Sequence, residues 1–241
     1  LDFELNSSPV CDDHEDAAMK NDDHLKSVGS KNLGRRPVTI SIAVLLGTGF
    51  YLLTTPDTKA QNGNELRPPT AFAGITDPQA RSRALFTEAT KVIMSPRCVN
   101  CHPAGDRPLQ GNDQHPHEPF VTRGDSGIGI AGNTCQACHT DRNFTLGAGA
   151  SYQSIPGHAR WGLAPIEMAW QGKSPSEICA QLKDRNRNGG RDLAQLHEHL
   201  AKDDLIAWGW NPGVGREPVP GTQMRLGELI EAWIDTGAQC P

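Results

Sequence analysis

The chain has 241 residues, with 37% apolar and 5% aromatic residues, 25 glycines, 18 prolines and a net charge of −5. So little apolar material among so many loop formers predicts a core filled by more than side-chain packing. The negative charge argues against a nucleic-acid binder, and a single long uncharged run excludes a polytopic membrane protein.

That run is Val38–Leu53, sixteen residues behind Arg35 and Arg36 and ahead of a small-residue stretch ending at Ala60. A basic, then apolar, then small-residue order is that of a secretory signal. Sixteen residues fall short of the roughly 20 that span a bilayer, so a cleaved signal is preferred to a membrane anchor. The Pro and Thr after the two arginines fit a twin-arginine signal poorly, and no Cys follows closely enough for a lipoprotein. Met19 is a candidate start site. Residues 1–60 are therefore set apart from the fold as an N-terminal extension with a signal or anchor, and the mature chain is expected in the periplasm.

Residues 61–75 are polar and proline-bearing and read as a linker. Thr76 and Gln79 have capping-box spacing around Pro78, and Leu85, Phe86, Ala89, Val92 and Ile93 follow at helical spacing up to Pro96. Met94 falls beside that stripe and reads as core. Then comes Cys98-Val99-Asn100-Cys101-His102, and 37 positions on comes Cys135-Gln136-Ala137-Cys138-His139. This pattern is that of c-type haem attachment. Two thiols add to the two vinyl groups of one porphyrin, and the adjacent His reaches the iron. Zinc between the two cysteine pairs is the competing reading, but zinc does not require a His after each pair. A pair of disulfide or redox motifs is the third. The short interval leaves no room for two separate cytochrome domains, so both haems are expected in one domain.

Residues 103–134 and the stretch from the second motif to about Gly172 read as ordered loop. Ser174 and Glu177 form a second capping box around Pro175, ahead of a helix with Ile178, Cys179 and Leu182 that Asn188-Gly189-Gly190 breaks. Leu193, Leu196 and Leu200 mark a third helix, and Leu226, Leu229, Ile230 and Trp233 a fourth that Gly237 stops. No alternating run suggests a strand. The expected fold is mostly α with abundant coil, a single compact dihaem cytochrome c domain over residues 76–241. With Cys11 in the excluded segment and four cysteines in the motifs, Cys179 and Cys240 are left as a disulfide in an oxidising compartment, or as two buried thiols. All five Trp follow the second motif, where packing on a porphyrin and ordinary core packing are both open.

Each iron has room for a second axial ligand. His117 and His115 stand in His115-Pro116-His117-Glu118-Pro119, where prolines hold the chain extended and positions two apart share a face. His158, after Pro156-Gly157, is the first choice for the other haem, and Met168 its rival. His197, His199 and Met224 have weaker claims, the first two as members of a charged helix face.

The stretches SPRCVNCHPAGDRPLQG, HPHEP, GNTCQACHTDRNF, PGHARWGLAPIEMAWQGKSPSEICAQLKD, WGWNPGVGREPVPGT and AWIDTGAQCP resemble a family of small dihaem c-type cytochromes labelled as an isoquinoline 1-oxidoreductase subunit. The resemblance covers roughly residues 66–241, and its specific part is the tryptophan-rich C-terminal half. It implies two covalently attached c-type haems and an electron-transfer role beside exported molybdenum hydroxylases. No molybdopterin or iron–sulfur signature is present, so the chain itself is expected to be an electron-transfer protein with a redox donor and acceptor, not the hydroxylase. Two other readings stand beside it. One is a dihaem peroxidase or small-molecule reductase with one open haem and His115, Glu118 and Asp125 for acid–base work. The other is a haem sensor or zinc-stabilised interaction module.

Overall fold

A computed structural model describes residues 64–148 and 152–241. The proposed signal or anchor and its extension, residues 1–60, lie outside the described residues. No helix among the described residues is long and apolar enough to cross a membrane.

Four longer helices carry the core: α1 (Pro78–Ile93), α3 (Pro175–Lys183), α4 (Leu193–Lys202) and α6 (Gln223–Asp235). Two single turns, α2 (Pro96–Val99) and α5 (Asp204–Ala207), complete the α-helices among the described residues. The starts follow from local chemistry. Asp77, not Thr76, caps α1, its carboxylate accepting from the Gln79 and Ala80 amides with Pro78 in the first turn. Ser174 and Glu177 close the capping box of α3 as expected. Asp192 and Gln195 do the same for α4, and Thr222 caps α6.

The apolar stripe of α1 meets α6 through Phe86 and Trp233, whose ring centroids are 5.0 Å apart. Around them lie Leu85, Val92, Ile93, Leu226, Leu229 and Ile230, all buried. Helices α4 and α6 approach closely where Gly227 faces Ala201. A Cβ at Gly227 would come within 2.6 Å of the Ala201 Cβ. The segment read as a linker belongs to this core from Asn64 on. Leu66 and Phe72 are buried, and Glu88 of α1 accepts from the Arg67 amide and guanidinium at 3.0 Å each. Met94, read as core, is exposed at the end of α1.

Three two-stranded antiparallel pairs depart from the strand-free expectation: Leu109–Gln110 (β1) with His115–Pro116 (β2), Gly129–Ile130 (β3) with Asn133–Thr134 (β4), and Phe144–Thr145 (β5) with Ser154–Ile155 (β6). Each strand has two residues, too few to show alternation in a sequence. The fold is thus helical with a few small strands. Between Val99 and Trp170 the described residues bury only the side chains of Pro103, Arg123, His139 and Ser154. The helical core is one body of apolar packing. The intervening loops bury a single apolar side chain, Pro103, among the described residues.

Cys179 and Cys240 form a disulfide that ties α3 to the carboxy terminus across 61 positions. Closing a loop of that length removes about 4 kcal/mol of chain entropy from the unfolded state. The double variant Cys179→Ser, Cys240→Ser is expected to lose stability of that order, read as a lower urea midpoint with an intact helical signal at neutral pH.

Candidate cofactor site

The two motifs adopt the same local form. In the first, α2 runs into the motif, and the Cys101 and His102 amides donate to the Cys98 and Val99 carbonyls. In the second, a 3₁₀ turn over Cys135–Ala137 lets the Cys138 and His139 amides donate to the Cys135 carbonyl. Two thiols and an imidazole are therefore gathered on one turn in each case.

Both imidazoles are then fixed from behind. His102 Nδ1 lies 2.7 Å from the Met168 carbonyl, and His139 Nδ1 lies 2.7 Å from the Pro156 carbonyl. A carbonyl only accepts, so Nδ1 carries the proton in both rings and Nε2 keeps its lone pair. Burial pushes both imidazoles down to about 4, so both are neutral at neutral pH. A neutral ring held at Nδ1 and free at Nε2 is the form that ligates a metal. Each ring also carries a tryptophan: Trp170 stacks on His102 at 3.7 Å, and Trp161 on His139 at 4.9 Å. Gly157 sets the second carbonyl in place, since any side chain there would strike the Arg142 carbonyl.

One open cleft, with a cavity volume of about 180 Å³, receives residues of both motifs. Cys101 enters from the first, and Cys135, Cys138 and His139 from the second. Leu109, Val121, Ile155, Leu163, Trp161 and Trp208 give an apolar wall, and Arg97 and Arg216 a cationic one. All four motif cysteines are free thiols. Burial pushes Cys98 up to about 11 and Cys101 up to about 12, which keeps them protonated and argues against a thiol–disulfide redox pair. Among the described residues no three His, Cys, Asp or Glu side chains gather as a metal-ion site, so the tetrahedral arrangement of the zinc reading is not assembled.

The distal candidates separate cleanly. His117 lines the cleft, and its ring centroid stands 5.9 Å from that of His139. Two imidazoles on opposite sides of one ion, each with a metal–nitrogen distance of about 2 Å, have their centroids roughly 6 Å apart. His117 is held as the motif histidines are, Nδ1 to the Pro119 carbonyl at 3.0 Å, which leaves Nε2 its lone pair. Arg107 grips its main-chain carbonyl with Nε and Nη2 at 3.0 and 2.6 Å.

His158 does not qualify in this arrangement. The Arg160 amide donates to its Nδ1 at 3.1 Å, so the proton sits on Nε2, 3.3 Å from Asp204. No lone pair is left for iron. His115 turns to Asp113 at 2.6 Å, half exposed, and is not part of the cleft wall. The shared face expected of His115 and His117 is thus not realised. Met168 offers its carbonyl to Nδ1 of His102, on the far side of that ring from Nε2, and its methyl lies over Gly189. His197 packs beside Gly227, His199 bonds Asp203 at 3.0 Å, and Met224 is exposed. Sequence reasoning missed Arg97, Arg216 and the two carbonyl acceptors. Arg97, immediately before Cys98, was in plain view. The carbonyls have no signature in a sequence, because any residue supplies one.

These residues fit a c-type haem. The donor set has the right chemistry, the ring tautomers leave Nε2 free, and the cleft joins an apolar wall to cationic groups. Comparison with protein-family models, with curated proteins and with solved structures gives no match in any of the three. The functional reading therefore rests on the residues themselves.

The loop bearing His158 is fastened to α5 by charge. Arg160 reaches Asp203 at 2.6 Å and also pairs with Asp204. Burial raises the Asp203 carboxyl, but bonds from Arg160 and from the Leu205 amide outweigh it and hold Asp203 well below the ordinary carboxylate range. A depressed folded value stabilises the fold above the unfolded value of 3.8 and loses that contribution as pH falls through the folded one. Asp203→Asn keeps the cap of α5 and removes the charge. It is expected to cost roughly 1–2 kcal/mol at pH 7 after solvent screening. The gap from wild type should narrow toward pH 3 in urea titrations.

Proposed function

We propose that this chain is an exported dihaem c-type cytochrome that passes electrons, as a partner or haem subunit of a larger oxidoreductase such as a molybdenum hydroxylase. The observation that carries the reading is the repeated arrangement at His102 and His139. Each follows a C-x-x-C turn, each is neutral, and each has Nδ1 on a main-chain carbonyl at 2.7 Å. Sequence spacing alone does not require that second feature.

On this reading Cys98 and Cys101 hold one group and Cys135 and Cys138 the other, with His102 and His139 as proximal ligands. His117 would be the second histidine ligand of the group held with His139. When bound, such a group supplies a one-electron iron couple whose potential is set by its axial ligands and surroundings. The chain does the rest. The Met168 and Pro156 carbonyls make the imidazoles better donors by accepting their Nδ1 protons. Trp170 and Trp161 hold the ring planes, and the apolar wall would pack against the bound group. His117, oriented by Arg107 and the Pro119 carbonyl, would offer its Nε2 as a further ligand to the group held at Cys135 and Cys138.

The test is a count of covalent haem on chain matured in the periplasm, by the pyridine spectrum of denatured, reduced protein. Two haems per chain are expected, and none despite competent maturation machinery would overturn the reading. His117→Ala is expected to open one haem to carbon monoxide, whereas His158→Ala should leave the native spectrum unchanged. Rapid carbon monoxide binding by the wild type at the second haem would instead favour the reductase reading.

A further inference from the structure

Two guanidiniums stand in the cleft wall without an anion. Arg97 is 4% exposed, and its Nη2 donates to the Gly111 carbonyl and the Asn112 side chain at 2.8 Å each. Arg216 lies half-buried, with Nη1 on the Ser154 hydroxyl and Nη2 on the Ser154 carbonyl at 2.7 Å each. Its Nη1 also reaches the Pro212 carbonyl at 3.4 Å. Among the described residues neither forms an ion pair, although Arg67, Arg123, Arg160 and Arg225 all do. Every acceptor that holds them is neutral.

A buried cation without a counter-charge is costly, and a second cation beside it raises the cost. The two are near enough to feel each other: burial first, then the Arg97 charge, lowers the proton affinity of Arg216. Glu217 draws on Arg97 only at a distance, and its amide is turned to the Asn112 oxygen at 3.3 Å. The neutral acceptors fix the two guanidiniums in place without cancelling their charge. Arg97 keeps Nε and Nη1, and Arg216 keeps Nε, without an acceptor among the described residues. The same cleft offers an apolar wall. Its natural occupant is a flat apolar body with two carboxylates on one edge.

We infer that Arg97 and Arg216 bind the two propionates of the haem carried by Cys135 and Cys138; this rests on the haem reading above. Guanidinium meets carboxylate through two parallel hydrogen bonds, a fit that lysine cannot reproduce. The assignment has a consequence for the architecture. Arg97 is the residue before Cys98, so the first motif would hold the haem of the second, and the two sites would be assembled together. A diffusible anion such as phosphate has the same chemistry and is separated from a propionate by the test.

The experiment uses full chain matured in the periplasm, with covalent haem counted first. Arg97→Gln, Arg216→Gln and the control Arg142→Gln, whose side chain is 85% exposed and pairs only with Asp141, are compared by resonance Raman. The propionate bending bands should shift in the two cleft variants and stay put in the control. One of the two midpoint potentials should fall, because removing a cation beside the carboxylates favours the ferric state. Should a glutamine variant fail to mature, Arg97→Lys and Arg216→Lys keep the charge, and should shift the bands while holding most of the potential. Unchanged bands in every cleft variant that carries haem would overturn the inference alone. Saturable perturbation of the wild type by added phosphate, lost in Arg216→Gln with the bands unmoved, would give the site to a diffusible anion and also overturn it. A wild type without haem would overturn both readings.

Discussion

Seventy residues between Val99 and Trp170 must be held in place with almost no apolar burial of their own. Ordering a backbone costs roughly 1–2 kcal/mol per residue, and the usual offset is about 25 cal/mol per Å² of apolar surface removed from water. Here the described residues bury one proline, one arginine, one histidine and one serine. What the region has instead is polar cross-bracing. Arg123 donates to the Ala164, Pro103 and Gly105 carbonyls, and Arg107 to that of His117. The Ala164 amide reaches Cys101, and the Trp170 and Gln171 amides both reach His102. These bonds set the path of the chain but supply little net free energy each. A large apolar group in the cleft would supply what is missing, and Cys101, Cys135, Cys138 and His139 already face it. The four-helix body needs no such help. Its two faces close over Trp233 and Phe86, and the disulfide pins the remaining end.

This division explains which parts were legible in the sequence. Helices α1, α3, α4 and α6 were all readable, because each joins a capping residue to an apolar stripe at helical spacing. The start of α1 was off by one residue. Thr76 has capping-box spacing to Gln79, but Asp77 places its carboxylate where two amides meet. The disulfide followed from counting cysteines. The motif residues were legible because the same C-x-x-C-H run occurs twice in the chain. The segment before α1 was misread because Leu66 and Phe72 are single apolar residues in a polar stretch, and one such residue per turn of coil carries no periodicity. The two-residue strands lay below any pattern. The candidates for a second ligand were the hardest to rank, since the ranking depends on which ring nitrogen keeps its lone pair. For His158 that was decided by the Arg160 amide two residues on and by Asp204 far along the chain, and for His117 by the carbonyl of Pro119.

The two motif histidines share a form but not a setting. His102 is tied to the helical body: Trp170 lies flat on it, and the Trp170 Nε1 donates to Gln181 of α3 at 2.8 Å. His139 is tied to loops: Trp161 stacks on it, Trp208 meets Trp161 edge-on, and Trp208 donates to Asn143. Its cysteine neighbour Cys138 is exposed, whereas Cys98 packs against the core. On the proposed reading this asymmetry has functional content. Solvent exposure and local charge are among the main determinants of a haem potential, so two chemically identical groups in these settings would differ in potential. The buried one would communicate through the body, and the one near the cleft mouth would face a partner. A relay needs such a difference in accessibility at its two ends, and in this fold it arises from where each tryptophan is anchored. The histidine that follows the cysteine pair, and its bond to a main-chain carbonyl, are the same in both motifs.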